Sequence, residues 1–163
     1  MPKTLVLAHG NTDSIIAVAD AVAEGVRSVR FAEVDVRRLG AGESPSAGRH
    51  RDLADAEELA GYDGLVLVTG AEGKVSAAIE QLIADAEALR QRKALGTSVG
   101  SAFVAGASAA ENGDGRWALL RALGALGLVL VPASRDDEEG ARQLGHRVAH
   151  VVSWITHAKS HHH

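Results

Sequence analysis

Three side chains in this sequence combine acid–base capacity with a place between an apolar run and a helical stretch: His9, Glu72 and Glu111. A histidine is the side chain best suited to move a proton near neutral pH, and a loop carboxylate can assist it. His9 is followed by Gly10, Asn11 and Thr12. Small and hydroxyl residues at the head of a helix leave backbone N–H groups free to hold an anion, with the helix dipole in support. The same residues also serve as an ordinary helix cap, and both readings stand. Glu72 sits in Thr69-Gly70-Ala71-Glu72-Gly73-Lys74, whose glycines let the backbone wrap a ligand or simply turn a corner. Glu111 falls in the stretch from Gly106 and Ala107 to Gly115, long enough for a binding loop or lid.

Other chemistry is limited by composition. The chain has no cysteine, which removes disulfides, thiolate catalysis and iron–sulfur ligation. His146, His150 and His157 fall within about 40° of one another on the last helical stretch, at roughly 100° per residue. An i, i+4 histidine pair can bind zinc, but the apolar residues of that stretch lie opposite. The stripe is therefore expected to face solvent, and no metal site is expected. The formal net charge of −4 offers nothing to nucleic acid or anionic lipid.

The candidate loops need a frame to bring them together, and the order of elements supplies one. Short apolar runs alternate with helical periodicity, the pattern of β-α-β units and a parallel sheet. Strands are predicted at Leu5–Ala8, Val29–Val36, Gly64–Val68, Ser98–Ala105 and Leu128–Pro132. Helices are predicted from Asp13 to Val26, Asp52 to Leu59, around Val75–Leu89, around Trp117–Leu126, and from Glu138 to Ile155. Five such units suit an α/β fold of three layers, a doubly wound sheet of five parallel strands in the order 2-1-3-4-5. Ligands bind such sheets where the strand order reverses, outside the carboxyl ends of the first and third strands. Topology alone thus gathers His9–Thr12, Thr69–Lys74 and Gly106–Gly115 at one crevice.

A chain of 163 residues, 46% hydrophobic and 23% charged, is expected to form one domain over residues 1–158. Residues 159–163 are read as a tail, with His161-His162-His163 as a tag remnant. The start of the chain lacks a signal-peptide pattern and no apolar run matches a membrane span, so a cytoplasmic location is expected.

The sequence resembles the flavodoxin-like superfamily. Leu5–Ala8 followed by Gly10-Asn11-Thr12-Asp13 resembles the family's phosphate-binding start, and Tyr62-Asp63-Gly64-Leu65-Val66-Leu67 its third strand. Ala77-Ala78-Ile79-Glu80-Gln81-Leu82-Ile83 resembles the following helix; Val99–Phe103 and Ala118 through Pro132 match its later strands. Ala141-Arg142 through Ala149 is similar to the last helix of the quinone-oxidoreductase branch, the tryptophan-repressor-binding-protein group. The resemblance implies FMN, with NAD(P)H as electron donor, a quinone or similar small molecule as acceptor, and a homodimer or homotetramer. It assigns the phosphate to Gly10, Asn11 and Thr12, beside His9. It places Thr69, Gly70, Ala71 and Gly73 along one side of the flavin ring, with Gly106 and Ala107 on the other. The loops depart from the family: only Ala8-His9 precede Gly-Asn-Thr, and the second loop lacks the usual proline and aromatic. These departures leave open a flavin-free enzyme using His9 with Glu72 or Glu111 on an apolar metabolite, or a non-catalytic scaffold.

Overall fold

The computed structural model describes residues 1–10, 13–39, 51–53, 55–70, 77–105, 109–135 and 137–160, the side chains of 109–115 and 160 excepted. Its strands are β1 (Lys3–His9), β2 (Glu33–Leu39), β3 (Gly64–Gly70), β4 (Val99–Ala105) and β5 (Val129–Leu130). The helices are α1 (Asp13–Arg27), α2 (Ala77–Gln91), α3 (Ala109–Ala125) and α4 (Glu138–Ser160), with a 3-10 helix at Ala56–Gly61. All strand pairs are parallel, and the sheet order is β2-β1-β3-β4-β5, as expected.

Leu5–Ala8 of β1 and Leu65–Val68 of β3 are apolar without interruption because both faces of the sheet are covered there, whereas edge strand β2 carries Glu33, Asp35, Arg37 and Arg38. Side chains alternate between faces, so β1 sends Val6 and Ala8 into one core and Leu5 and Leu7 into the other. The first core is closed by α1 and α4 through Ile16, Ala19, Val22, Leu144 and Val148. The second is closed by α2, α3 and the 3-10 helix through Ile79, Leu82, Leu119, Leu123 and Leu59. Each helix thus buries one stripe at the three/four spacing. Helices α1 and α4 approach closely enough that a Cβ on Gly25 would overlap the carbonyl oxygen of Arg142, and one on Gly145 that of Val22.

Several boundaries differ from the expectation. The second strand begins at Glu33, not Val29. Val29 is buried with Val26 and Ala149, so its apolar character serves the α1–α4 face. Hydrogen bonds from Val29 N to Val26 O and from Ala32 N to Val29 O fold residues 28–32 into a turn, with Phe31 at φ +66°. Asp52 does not start a helix. Residues 51–53 run beside β2 instead, with Arg38 N donating to Arg51 O and Leu53 N to Arg38 O. The 3-10 helix starts later, where Asp55 Oδ1 accepts from Glu57 N at 3.0 Å. Helix α3 begins at Ala109, so the second half of the expected third loop is helical backbone. Ala109-Ala110-Glu111 are good helix formers, and no proline follows to stop them. Helix α4 runs on to Ser160.

Candidate functional site

The crevice predicted from topology lies where β1 and β3 end side by side and their chains leave for opposite faces. In the parallel register His9 stands opposite Thr69 of β3 and Leu39 of β2. Thr69 in turn stands opposite Val104, and Gly70 opposite Ala105 of β4. His9 and Thr69 are both half-buried. By alternation they continue the face of Leu5, Leu7, Leu65 and Leu67, the one covered by α2 and α3.

The His9 ring is held by a bond that local sequence could not reveal. Its Nδ1 lies 2.8 Å from the carbonyl oxygen of Leu39. A carbonyl can only accept, so Nδ1 carries the hydrogen and donates. The neutral ring therefore keeps its lone pair on Nε2. In that form Nε2 accepts a proton; once protonated it donates one.

The chain turns from β1 into α1 within three residues. Gly10 takes φ +123°, a conformation that side chains disfavour, and a Cβ there would collide with the Ile15 side chain. This tight turn brings the amino terminus of a 15-residue helix directly after His9. The positive dipole end of α1 consequently sits at the switch point.

Of the residues expected at this site, the structure brings together His9, Gly10, Thr69 and Gly70. Asn11, Thr12, Ala71, Glu72, Gly73, Gly106 and Ala107 lie outside the described residues. Glu111 is in the first turn of α3, its side chain outside the description. Among the described residues no group of three or more His, Asp or Glu is placed to hold a metal ion. No helix among them is long and apolar enough to cross a membrane.

Away from this crevice, a polar cluster ties the amino-terminal half of the sheet together. Tyr62 Oη donates to Asp35 Oδ2 at 2.7 Å, and Lys3 Nζ and Arg37 approach the same carboxylate at 3.3 and 3.5 Å. Burial pushes the Tyr62 phenol up, reinforced by its bond to Asp35, to about 12. Burial also acts to raise Asp35, but the Tyr62 and Lys3 contacts and the charges of Lys3 and Arg37 outweigh it and hold the carboxyl low. These groups stabilise one another and stand toward the amino ends of the strands, away from His9 and Thr69.

No family model matches the chain. A curated protein named NAD(P)H dehydrogenase (quinone), from Rhodopseudomonas palustris, is 35% identical over 117 residues, covering 66% of this chain. The match spans 58% of that relative, so the chain corresponds to less than two thirds of its length. Flavodoxin 1 from Bacillus cereus superposes with a TM-score of 0.59 at 16% identity, covering 88% of this chain and 94% of that one. The Trp repressor binding protein from Bacillus subtilis gives 0.55 at 10% identity, covering 90% and 99%. The chain has a flavodoxin-like fold and is similar in sequence to proteins named NAD(P)H dehydrogenase (quinone).

Proposed function

We propose that the chain is an FMN-dependent oxidoreductase that passes electrons from NAD(P)H to a quinone-type or similar small acceptor. The observation that carries this reading is the short turn at Gly10, which delivers the amino end of α1 to the switch point beside His9 and Thr69. The sequence relationship to NAD(P)H dehydrogenase (quinone) supports it independently.

Of the residues that would hold such a group, Gly10, Thr69 and Gly70 are described, and their place at the strand ends fits it. A phosphate would be held by Gly10, Asn11 and Thr12 at the head of α1, where the helix dipole favours an anion. Thr69, Gly70, Ala71 and Gly73 would border one side of the ring, and Gly106 and Ala107 the other. Gly70 adds no side chain at the strand end, so a flat ligand can approach the backbone there. Bound FMN would supply the exchange of a hydride equivalent between nicotinamide and acceptor.

The net reaction converts NAD(P)H, a quinone and one proton into NAD(P)⁺ and a hydroquinone. Reduction of the quinone therefore needs a proton beyond the hydride. His9 can hold that proton at Nε2 and release it toward a reduced oxygen, because Leu39 keeps Nδ1 engaged. Glu72 and Glu111 are the carboxylates assigned to return a proton to the site. A homodimer or homotetramer completes the reading, and sedimentation velocity of the purified chain tests it.

The decisive experiment is titration of the protein with FMN, followed by NADH- and NADPH-driven reduction of a soluble benzoquinone. Saturable binding with flavin-dependent turnover is expected. Absence of saturable binding overturns the reading. The brevity of the first loop, three residues from His9 to Asp13, would then favour a flavin-free enzyme using His9 at the same crevice. In that case His9→Ala is expected to abolish turnover without any flavin requirement.

A further inference from the structure

The histidine stripe of α4 is not merely a solvated face. Ser28, just past the end of α1, places its Oγ 2.6 Å from the carbonyl oxygen of Gly25 and 2.7 Å from Nδ1 of His146. A serine hydroxyl has one hydrogen, and the carbonyl can only accept it. The contact with His146 is then made by Nδ1–H donating to Oγ. This fixes the tautomer of His146 and leaves a lone pair on its Nε2. That atom lies 3.1 Å from Nε2 of His150, one helical turn later.

From this geometry we infer that His146 and His150 form a chelate for a divalent transition-metal ion of the borderline class, Zn²⁺, Ni²⁺ or Cu²⁺. Two nitrogens bound at about 2.0–2.1 Å in adjacent positions of a tetrahedral or square site stand roughly 2.8–3.4 Å apart. The observed 3.1 Å falls within that span. The ring centroids are 4.6 Å apart with planes at 74°, so the rings converge at an angle instead of meeting end to end. Imidazole suits these ions, whereas magnesium and calcium prefer oxygen donors. Water would fill the remaining positions, since the pair is exposed to half-exposed.

Ser28 supplies the outer hydrogen bond that metal-bound histidines usually make, which orients the ring and strengthens the donor. It also ties the site to the exit of α1, so an ion held on α4 is coupled to the α1–α4 packing. The surroundings contain both signs of charge. Arg142 is engaged by Glu24 and Glu139 at 3.5 and 2.7 Å, while Arg147 adds a cation nearby. That cation lowers the affinity without altering the ligand geometry.

Trp154 provides a local reporter, its ring 5.9 Å from that of His150. The test uses the full chain with His161, His162 and His163 replaced by serine and Trp117→Phe, so that terminal histidines and the second indole do not contribute. Titration with CuCl₂ is expected to quench Trp154 fluorescence saturably at one ion per chain. ZnCl₂ is expected to compete and to raise the melting temperature. His146→Ala and His150→Ala should each remove the saturable phase, with circular dichroism confirming that α4 remains folded. Ser28→Ala should weaken binding by about tenfold or more while leaving the stoichiometry unchanged. Quenching that is linear in copper, or that persists in His150→Ala, overturns the assignment. So does full affinity in both histidine variants.

Discussion

The two ends of the parallel sheet are built on opposite plans. At the amino end, polar groups are engaged with one another. Lys3 N donates to Asp63 Oδ2 at 2.9 Å, and Asp63 N donates back to Lys3 O at 2.8 Å. Thr97, 6% exposed, reaches the carbonyls of both Leu59 and Tyr62 at 3.1 Å. Asp35 gathers Tyr62, Lys3 and Arg37 around one carboxylate. At the carboxyl end, His9 is oriented among the described residues through Nδ1, and Gly10 and Gly70 replace side chains with backbone. Satisfied polar networks add rigidity, whereas a group with an unused lone pair at a crevice is available for chemistry. The difference assigns stability to the amino end and, under the proposed function, chemistry to the carboxyl end.

The strongest way to break this comparison is at His9. Replacing it by alanine should lower quinone turnover by about 10²–10⁴-fold, the usual value of a positioned acid or base, with little change in urea stability. Steady-state NAD(P)H oxidation with added FMN measures it. Unchanged turnover would remove chemistry from the carboxyl end.

At the amino end the prediction inverts. A Cβ at Gly96 would overlap the carbonyl oxygen of Ala60, a backbone atom that cannot swing aside. Gly96→Ala should therefore cost roughly 1–3 kcal/mol in urea unfolding, as overpacking does, and leave flavin affinity unaltered. A loss of affinity equal to the loss of stability would show the two ends to be coupled.

Thr97→Val keeps the shape but deletes the hydroxyl, leaving the carbonyls of Leu59 and Tyr62 without that donor. About 1–2 kcal/mol of stability should go, read from the same unfolding curves. Tyr62→Phe removes the buried hydroxyl that donates to Asp35 and should cost about 0.5–1.5 kcal/mol near neutral pH.

Its pH dependence sharpens the point. The Tyr62 phenol is raised from 10.0 to about 12, so its contribution is present below pH 10 and is lost as pH rises toward about 12. Asp35 is held below 3.8, so its contribution is present above that pH and is lost as pH falls through the depressed value. Thermal unfolding of Tyr62→Phe should lack the alkaline limb of the parent chain.

Much of the fold was legible because both faces of the sheet are buried. Leu5–Ala8 and Gly64–Val68 could hardly be anything but interior strands, and Ile79, Leu82, Ala86 and Leu89 declare one face of a helix. The errors arose where apolar character had a different cause. Val29 reads as strand but is buried in a turn beside Val26 and Ala149. Ala109–Gly115 reads as loop because of its glycines, yet it continues into α3. Leu128–Pro132 reads as a full strand, but only Val129 and Leu130 pair as one, since Pro132 has no N–H to extend the ladder.

The candidate site divides in the same way. Periodicity, the alternation of strands and helices, and the place of Gly10 are properties of local sequence, because they depend on side-chain type and spacing. They were enough to bring the ends of β1 and β3, His9 and Thr69, side by side. The pairing of His9 with Leu39 O is separated by 30 residues, and that of Ser28 with His146 by 118. No local pattern encodes either, because each depends on strand register or helix crossing. Which nitrogen of His9 and of His146 keeps its lone pair was therefore decided by the tertiary structure alone, through the acceptor it sets against the other nitrogen.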